Sequence, residues 1–318
     1  MIKGTYVFYE DGKEIYRSDN VITKFGKRFL TTYIAGNADF SNKTLALGIA
    51  DGTDYASADT NSRLGFEFYK LPIDFGSVDI QPAGQGTYSY TVVYKTTIPQ
   101  DIIGTVKEVG LFSSGRKSTN NFDSKFISTF ENNLDWYYSD LTNGVYTVSD
   151  DSRIGSGMMK LDFANSSETT NELITKTSTI DISGYSANDT LTLAYNREDT
   201  NLSKIKIKFY SSDTDYYYGE ITPSSGTGNK IQQIGMSSVF SNYSGQPNAT
   251  SISKIGVEIS RTSTSSPSVV YLDGLRINDE DTFDATFGMV SRSILNTPIK
   301  KIAGRQVDIE YRLNLGWS

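Results

Sequence analysis

The chain has 318 residues, 37% of them hydrophobic and 12% aromatic, enough to bury the core of one large β domain or two ordinary ones. Its formal charge is −7, and no cluster of Lys and Arg is present to displace counterions from phosphate, which argues against nucleic acid as a partner. It has no cysteine and no histidine, so disulfides, Fe–S centres, thiol nucleophiles, the usual general base and the commonest zinc ligand are all excluded.

No apolar h-region opens the sequence and no apolar run reaches the roughly 18 residues of a spanning helix, so neither secretion by a leader nor membrane insertion is expected. The 21 tyrosines, with abundant Ser, Thr, Asn and Gly, suit strands, turns and adhesive surfaces.

In chain order, Tyr6, Phe8 and Tyr16 alternate with polar neighbours around a turn at Glu10-Asp11-Gly12-Lys13, which predicts a hairpin. Ile22, Phe25, Phe29, Leu30, Tyr33 and Ile34 recur at three- and four-residue spacing, which predicts one helix ended by Gly36. Gly26 weakens that helix. Strands are expected at 44–49, 65–73, 87–98 and 104–112.

A polar linker-like stretch at 113–121 and the acidic run at 278–281 bracket a region in which short strands recur between turn signals. They are 144–148, 157–163, 191–195, 204–210, 254–259 and 269–277, the spacing of a β-sandwich. Beyond it, Ala285–Phe287 and Val307–Leu315 read as strands, with a break at Asn296-Thr297-Pro298 between them. Val307, Ile309, Tyr311 and Leu313 take one face of the last strand, which is expected to pair into the N-terminal sheet.

The expected fold is therefore mainly β. A small β-rich assembly domain with one α-helix, residues 1–118 and 280–318, is interrupted by an inserted antiparallel β-sandwich of jelly-roll type, residues 119–279.

Several phrases carry resemblances. Asn20–Leu30, Leu45-Ala46-Leu47-Gly48, Lys107-Glu108-Val109-Gly110-Leu111-Phe112, Val290–Leu295 and Tyr311–Trp317 resemble structural proteins of tailed-phage virions, of the tail, baseplate and fibre-associated type. That resemblance implies a virion component made in the host cytoplasm, which docks onto other virion proteins and onto copies of itself as a homo-oligomer. A capsid decoration or head-fibre protein is the alternative.

In the middle region, Phe130–Trp136, Arg153–Leu161 and Val270–Ile277 resemble in order the opening phrase, second strand and last strand of jelly-roll carbohydrate-binding modules. This implies host-surface polysaccharide as a partner. Fold alone does not confer sugar binding, and a plain spacer uses the same sandwich. The same resemblance implies a structural calcium held by Glu131 and Asp273, with carbonyls near Gly155–Gly157 as helpers, against the plainer reading of two edge carboxylates. Calcium takes about six to eight oxygen ligands, more than these supply.

Trp136, Tyr216, Tyr217 and Tyr218 are the candidate contacts for glycan or for a subunit interface. In a strand, one of three consecutive aromatics faces away from the other two, so each cluster gives at least one ring to the core, and Trp136 fits the core better than a ligand. No cofactor other than calcium and no catalytic residue is expected. The adjacent acids Asp150-Asp151 and Asp279-Glu280-Asp281 read as solvated turns, since a depolymerase needs two carboxyls set across a cleft. Gly226-Thr227-Gly228-Asn229-Lys230 lacks the frame of a phosphate loop and reads as a hairpin loop.

Overall fold

The computed structural model describes residues 2–51, 56–73, 75–82, 88–113, 125–132, 135–138, 144–162, 169–264, 268–278 and 288–316. It is mainly β, all strand pairs are antiparallel among the described residues, and the chain divides into two compact units, residues 1–120 with 282–318 and residues 121–281.

The chain opens with β1 (Ile2–Glu10), β2 (Lys13–Asp19), β3 (Val21–Ile22), helix α1 (Lys24–Ile34) and β4 (Thr44–Gly48). It continues through β5 (Glu67–Pro72), β6 (Phe75–Pro82), β7 (Tyr88–Ile98) and β8 (Gly104–Phe112). The second unit holds β9 (Lys125–Ser128), β10 (Trp136–Tyr138), β11 (Val145–Val148), β12 (Gly157–Asp162), β13 (Thr170–Ile180) and β14 (Thr190–Arg197). There follow β15 (Leu202–Tyr210), β16 (Tyr216–Ile221), β17 (Gly228–Gly235), α2 (Met236–Ser241), β18 (Tyr243–Ser244), β19 (Ile252–Arg261) and β20 (Val269–Asn278). Finally β21 (Met289–Lys301) and β22 (Val307–Gly316) return to the first unit.

The first unit contains two five-stranded sheets, ordered β2-β1-β22-β7-β6 and β3-β21-β8-β4-β5. Asp11 and Gly12 both take positive φ, the geometry that closes the β1–β2 hairpin in two residues. β22 lies between β1 and β7, and its Val307, Ile309, Tyr311 and Leu313 enter the core. Helix α1 is capped by Thr23, whose hydroxyl accepts the Gly26 N–H at 2.9 Å, and it buries Phe25, Phe29 and Leu30. Gly26 costs helix propensity but has a packing reason: a Cβ there would overlap the Val290 carbonyl of β21. The expected break at Asn296-Thr297-Pro298 is instead a register irregularity inside the single strand β21. The segments 285–287 and most of 113–121 and 278–281 lie outside the described residues.

The second unit is a sandwich. One sheet runs β10-β13-β19-β15-β16-β18; the other runs β11-β12-β20-β14-β17, with β9 pairing β20. Inward residues of both sheets build one core that includes Leu173, Leu193, Ile207, Phe209, Val257 and Leu272. The short helix α2, which the strand pattern hides, seats Met236 and Val239 in it. Among the described residues no helix is long and apolar enough to cross a membrane.

Candidate functional site

The site is built by alternation. Strand β15 reads Lys204-Ile205-Lys206-Ile207-Lys208-Phe209-Tyr210; Ile205, Ile207 and Phe209 enter the core, so the lysines and Tyr210 take the outer face. On β16 the same rule separates the tyrosine triplet. Tyr217 packs inward, edge-on to Phe240 with centroids 5.6 Å apart, and its hydroxyl donates to the Pro247 carbonyl at 3.0 Å. Tyr216 and Tyr218 are left half-buried on the outer face.

Strand register then lines these side chains into rows across the sheet. One row is Tyr137–Ile174–Gly256–Lys208–Tyr218, each paired with the next on five neighbouring strands. At about 4.8 Å per strand it crosses about 19 Å. A row on one side holds Glu172, Glu258, Lys206 and Glu220, and a row on the other holds Lys254, Tyr210, Tyr216 and Ser244.

Gly256 lies in the middle of the central row, and a Cβ there would overlap Glu172 Oε1. The missing side chain lets Glu172 lean across the row, where its Oε1 accepts the Tyr210 hydroxyl at 2.7 Å and its Oε2 meets Lys208 Nζ at 3.1 Å.

Lys208 is the hub. Its ammonium also reaches Glu258 at 2.7 Å and lies 5.8 Å and 5.2 Å from the ring centroids of Tyr210 and Tyr216. Burial alone lowers its pKa, but the carboxylates of Glu258 and Glu172 outweigh burial and hold the ammonium above the usual lysine range. Burial, reinforced by Glu172, likewise pushes the Tyr210 phenol up. The rings are thereby fixed, Tyr210 and Tyr216 at 4.8 Å and 53°, Tyr216 and Tyr218 at 6.1 Å and 54°, with Lys206 Nζ 4.7 Å from the Tyr218 centroid. The face offers tilted aromatic surfaces bordered by charged donors and acceptors, the two elements that stack on a pyranose ring and hold its hydroxyls.

Trp136 is not part of this face. It is 3% exposed and packs on Phe130 with centroids 4.8 Å apart, so the structure places it in the core. Its neighbour Tyr137, by alternation, is the member of that cluster on the outer face.

The pair expected to hold calcium does not fit a cation. Asp273, 1% exposed, accepts the Arg153 N–H at 2.9 Å, the Ile154 N–H at 3.2 Å and the Ser152 hydroxyl at 3.3 Å. Glu131 accepts the N–H groups of Ser156 at 3.1 Å and Gly157 at 3.3 Å, and the Tyr146 hydroxyl at 3.2 Å. The loop therefore turns donors toward both carboxylates, and the lone pairs that a cation would need hold the backbone instead. Among the described residues no three His, Cys, Asp or Glu side chains gather in a metal-binding group. Glu131 and Asp273 are loop clamps.

In the first unit, four of the phrases singled out in the sequence meet in one place. Val21 and Ile22, Leu45–Gly48, Lys107–Phe112 and Val290–Leu295 lie on β3, β4, β8 and β21 of a single sheet, with α1 against β21. At its centre Glu108 and Arg292, both fully buried, pair at 2.6 Å and 3.0 Å. Glu108 also accepts the N–H groups of Phe66 at 2.9 Å, Gly65 at 3.0 Å and Ala50 at 3.4 Å. Arg292 donates to the Ala56 carbonyl at 3.1 Å and to Asn61 at 3.3 Å.

No family model and no curated protein matches the sequence. Similar solved structures include the family 11 carbohydrate-binding module from Clostridium thermocellum in complex with a β-1,3-1,4-mixed-linked tetrasaccharide, at 14% identity and a TM-score of 0.36, covering 50% of this chain and 97% of that chain. A family 30 carbohydrate-binding module is 13% identical with a TM-score of 0.32, covering 44% of this chain and 76% of that chain. An agarase is 9% identical with a TM-score of 0.35, covering 51% of this chain and 25% of that chain. The chain spans about a quarter of the length of the agarases it matches.

Proposed function

We propose that the chain is a non-enzymatic structural component of a tailed-phage particle, in which the second unit adheres to host-surface glycan and the first unit docks onto other virion proteins and onto copies of itself. The observation that carries the adhesion reading is the outer face of the β15–β16 sheet. There Tyr216 and Tyr218 are held half-buried by the lysines of β15, while Tyr217 anchors the strand in the core. Half-buried, fixed rings lose little entropy on stacking against a sugar. The carboxylates beside them, Glu172, Glu258 and Glu220, are each engaged by a lysine ammonium, which suits holding a ligand rather than moving a proton.

Support for docking by the first unit is sequence resemblance, drawn from phrases that meet around Glu108 and Arg292.

Affinity electrophoresis of the full chain through gels containing polysaccharide tests the adhesion. Retardation that is lost in the Tyr216→Ala/Tyr218→Ala variant is expected. An unretarded wild-type chain refutes it, and a wild-type oligomer that the double variant dissolves makes the face a subunit interface instead. Cryo-EM of the particle that produces the chain tests the docking: the first unit is expected against tail or baseplate proteins. Subunits lying on the capsid lattice would make it a decoration protein, and absence from the particle refutes a virion role.

A further inference from the structure

The charges of the tyrosine face form one connected series. Lys204 meets Glu220 at 2.9 Å, Glu220 meets Lys206 at 3.8 Å, and Lys206 meets Glu258 at 3.6 Å. Glu258 then meets Lys208 at 2.7 Å, Lys208 meets Glu172 at 3.1 Å, and Glu172 ends the series on the Tyr210 hydroxyl. The signs alternate at every step. The three lysines balance the three glutamates, and the outlying Lys254 is matched by Asp213.

Such a series discriminates by charge. A polyanionic chain laid on it brings its carboxylates or sulfates against a glutamate wherever it reaches a lysine, and must break an existing ion pair to gain a new one. A polycation meets the mirror problem. Hydroxyl groups both donate and accept, so an uncharged sugar satisfies ammonium and carboxylate in turn without displacing either. The series also has a direction: Glu172, Glu258, Lys206 and Glu220 run across the strands, beside the row from Tyr137 to Tyr218.

We infer, resting on the glycan reading above, that the face selects an uncharged polysaccharide lying across the strands, and that the alternating ion-pair series makes the selection. The rings contribute stacking, which any pyranose accepts; the series supplies rejection of uronic and sulfated chains. Binding is then insensitive to salt, because no net charge is neutralised.

The test runs the full chain through gels containing uncharged polysaccharides (a glucan, a mannan, a galactan) or acidic ones (a polyuronate, a sulfated galactan), at low and high salt. Retardation by an uncharged polymer, equal at both salt levels, with none by the acidic polymers, is expected. The variant Glu220→Gln leaves the series with one excess positive charge beside Lys204 and Lys206. Its ratio of acidic to uncharged affinity should rise at least about tenfold at low salt and fall back at high salt. Wild-type retardation by an acidic polymer that salt abolishes overturns the inference and keeps the adhesion, as does a Glu220→Gln ratio that does not move. No retardation by any polymer overturns the adhesion itself.

Discussion

Replacing Glu108 by Gln should damage the first unit more than replacing its partner Arg292 by Met, although each substitution breaks the same buried ion pair. Losing one member of such a pair costs about 3–5 kcal/mol, because the other stays charged without its counterion. The surroundings decide where in that range each falls. Without Arg292, the Glu108 carboxylate still accepts the N–H groups of Phe66, Gly65 and Ala50, so Arg292→Met should lie near about 3 kcal/mol. Gln at 108 keeps one acceptor oxygen and turns an NH2 toward donors. Whichever way the amide points, it faces either the Arg292 guanidinium and Gly65 or the N–H of Phe66. Those orphaned donors add about 1–3 kcal/mol to the unpaired charge, which takes Glu108→Gln to about 5 kcal/mol. Hydrogen exchange of β4 and β8 amides in the full chain reads the difference: opening should rise more than about a hundredfold in Arg292→Met and about thirtyfold further in Glu108→Gln. The double variant should cost less than the sum, by about 1 kcal/mol or more. The reverse order of the single variants, or strict additivity, would refute this account of the Glu108–Arg292 pair.

Three further outcomes follow from the second unit. Trp136→Ala should destabilise it by about 3–5 kcal/mol in urea unfolding through the cavity left beside Phe130, and leave any glycan retardation of the folded fraction unchanged; unaltered stability would return Trp136 to the surface. Burial pushes the Asp273 carboxyl up to about 7, against the opposing pull of the Arg153 and Ile154 N–H groups. An acid whose folded value lies above its unfolded one, about 4, contributes stability that is complete below about pH 4 and is lost as pH rises through about 7. Relative to Asp273→Asn, the wild-type unfolding temperature should therefore fall between pH 4 and pH 8, and parallel profiles for the two proteins would sink the assignment. Neither added calcium nor a chelator should shift that transition, since the clamp loop presents donors; a chelator-dependent drop would put a cation there.

The parts of this architecture that depend on period and on local turn chemistry are legible in the sequence. Tyr6 and Phe8, the Asp11-Gly12 turn, the Phe25–Phe29–Leu30 stripe and the alternation of 307–313 each state which face is inward before any partner is known. The same rule divides Tyr216–Tyr218 and turns the three lysines of β15 to the outer face. What alternation cannot give is register. Lys208 meets a glutamate 36 residues upstream and another 50 residues downstream, and only the pairing of β13, β19 and β15 brings them together. Asp273 is hidden for a different reason. Ala194 pairs Gly274 and Tyr195 pairs Leu272, so Asp273 is the extra residue of a bulge and turns out of the alternation toward the 152–154 loop. An acid in a last strand reads as a cation ligand from sequence; the donors that occupy it come from a loop more than a hundred residues away.

The two kinds of charge in the molecule do different work, and burial separates them. Glu108 and Asp273 are 0% and 1% exposed, and each accepts backbone N–H groups from a connecting loop, so the acid supplies acceptors that a strand neighbour supplies elsewhere. Removing either leaves backbone donors without acceptors, and the fold bears the whole cost. The lysines and glutamates of the tyrosine face sit on strands whose backbones are already paired, and most keep some contact with water. Ion pairs of that kind contribute about 0–1 kcal/mol each to stability, too little to account for six charges in unbroken alternation. Their effect falls instead on what touches the sheet: they hold Tyr210, Tyr216 and Tyr218 in place and set the sign of every neighbour a ligand meets.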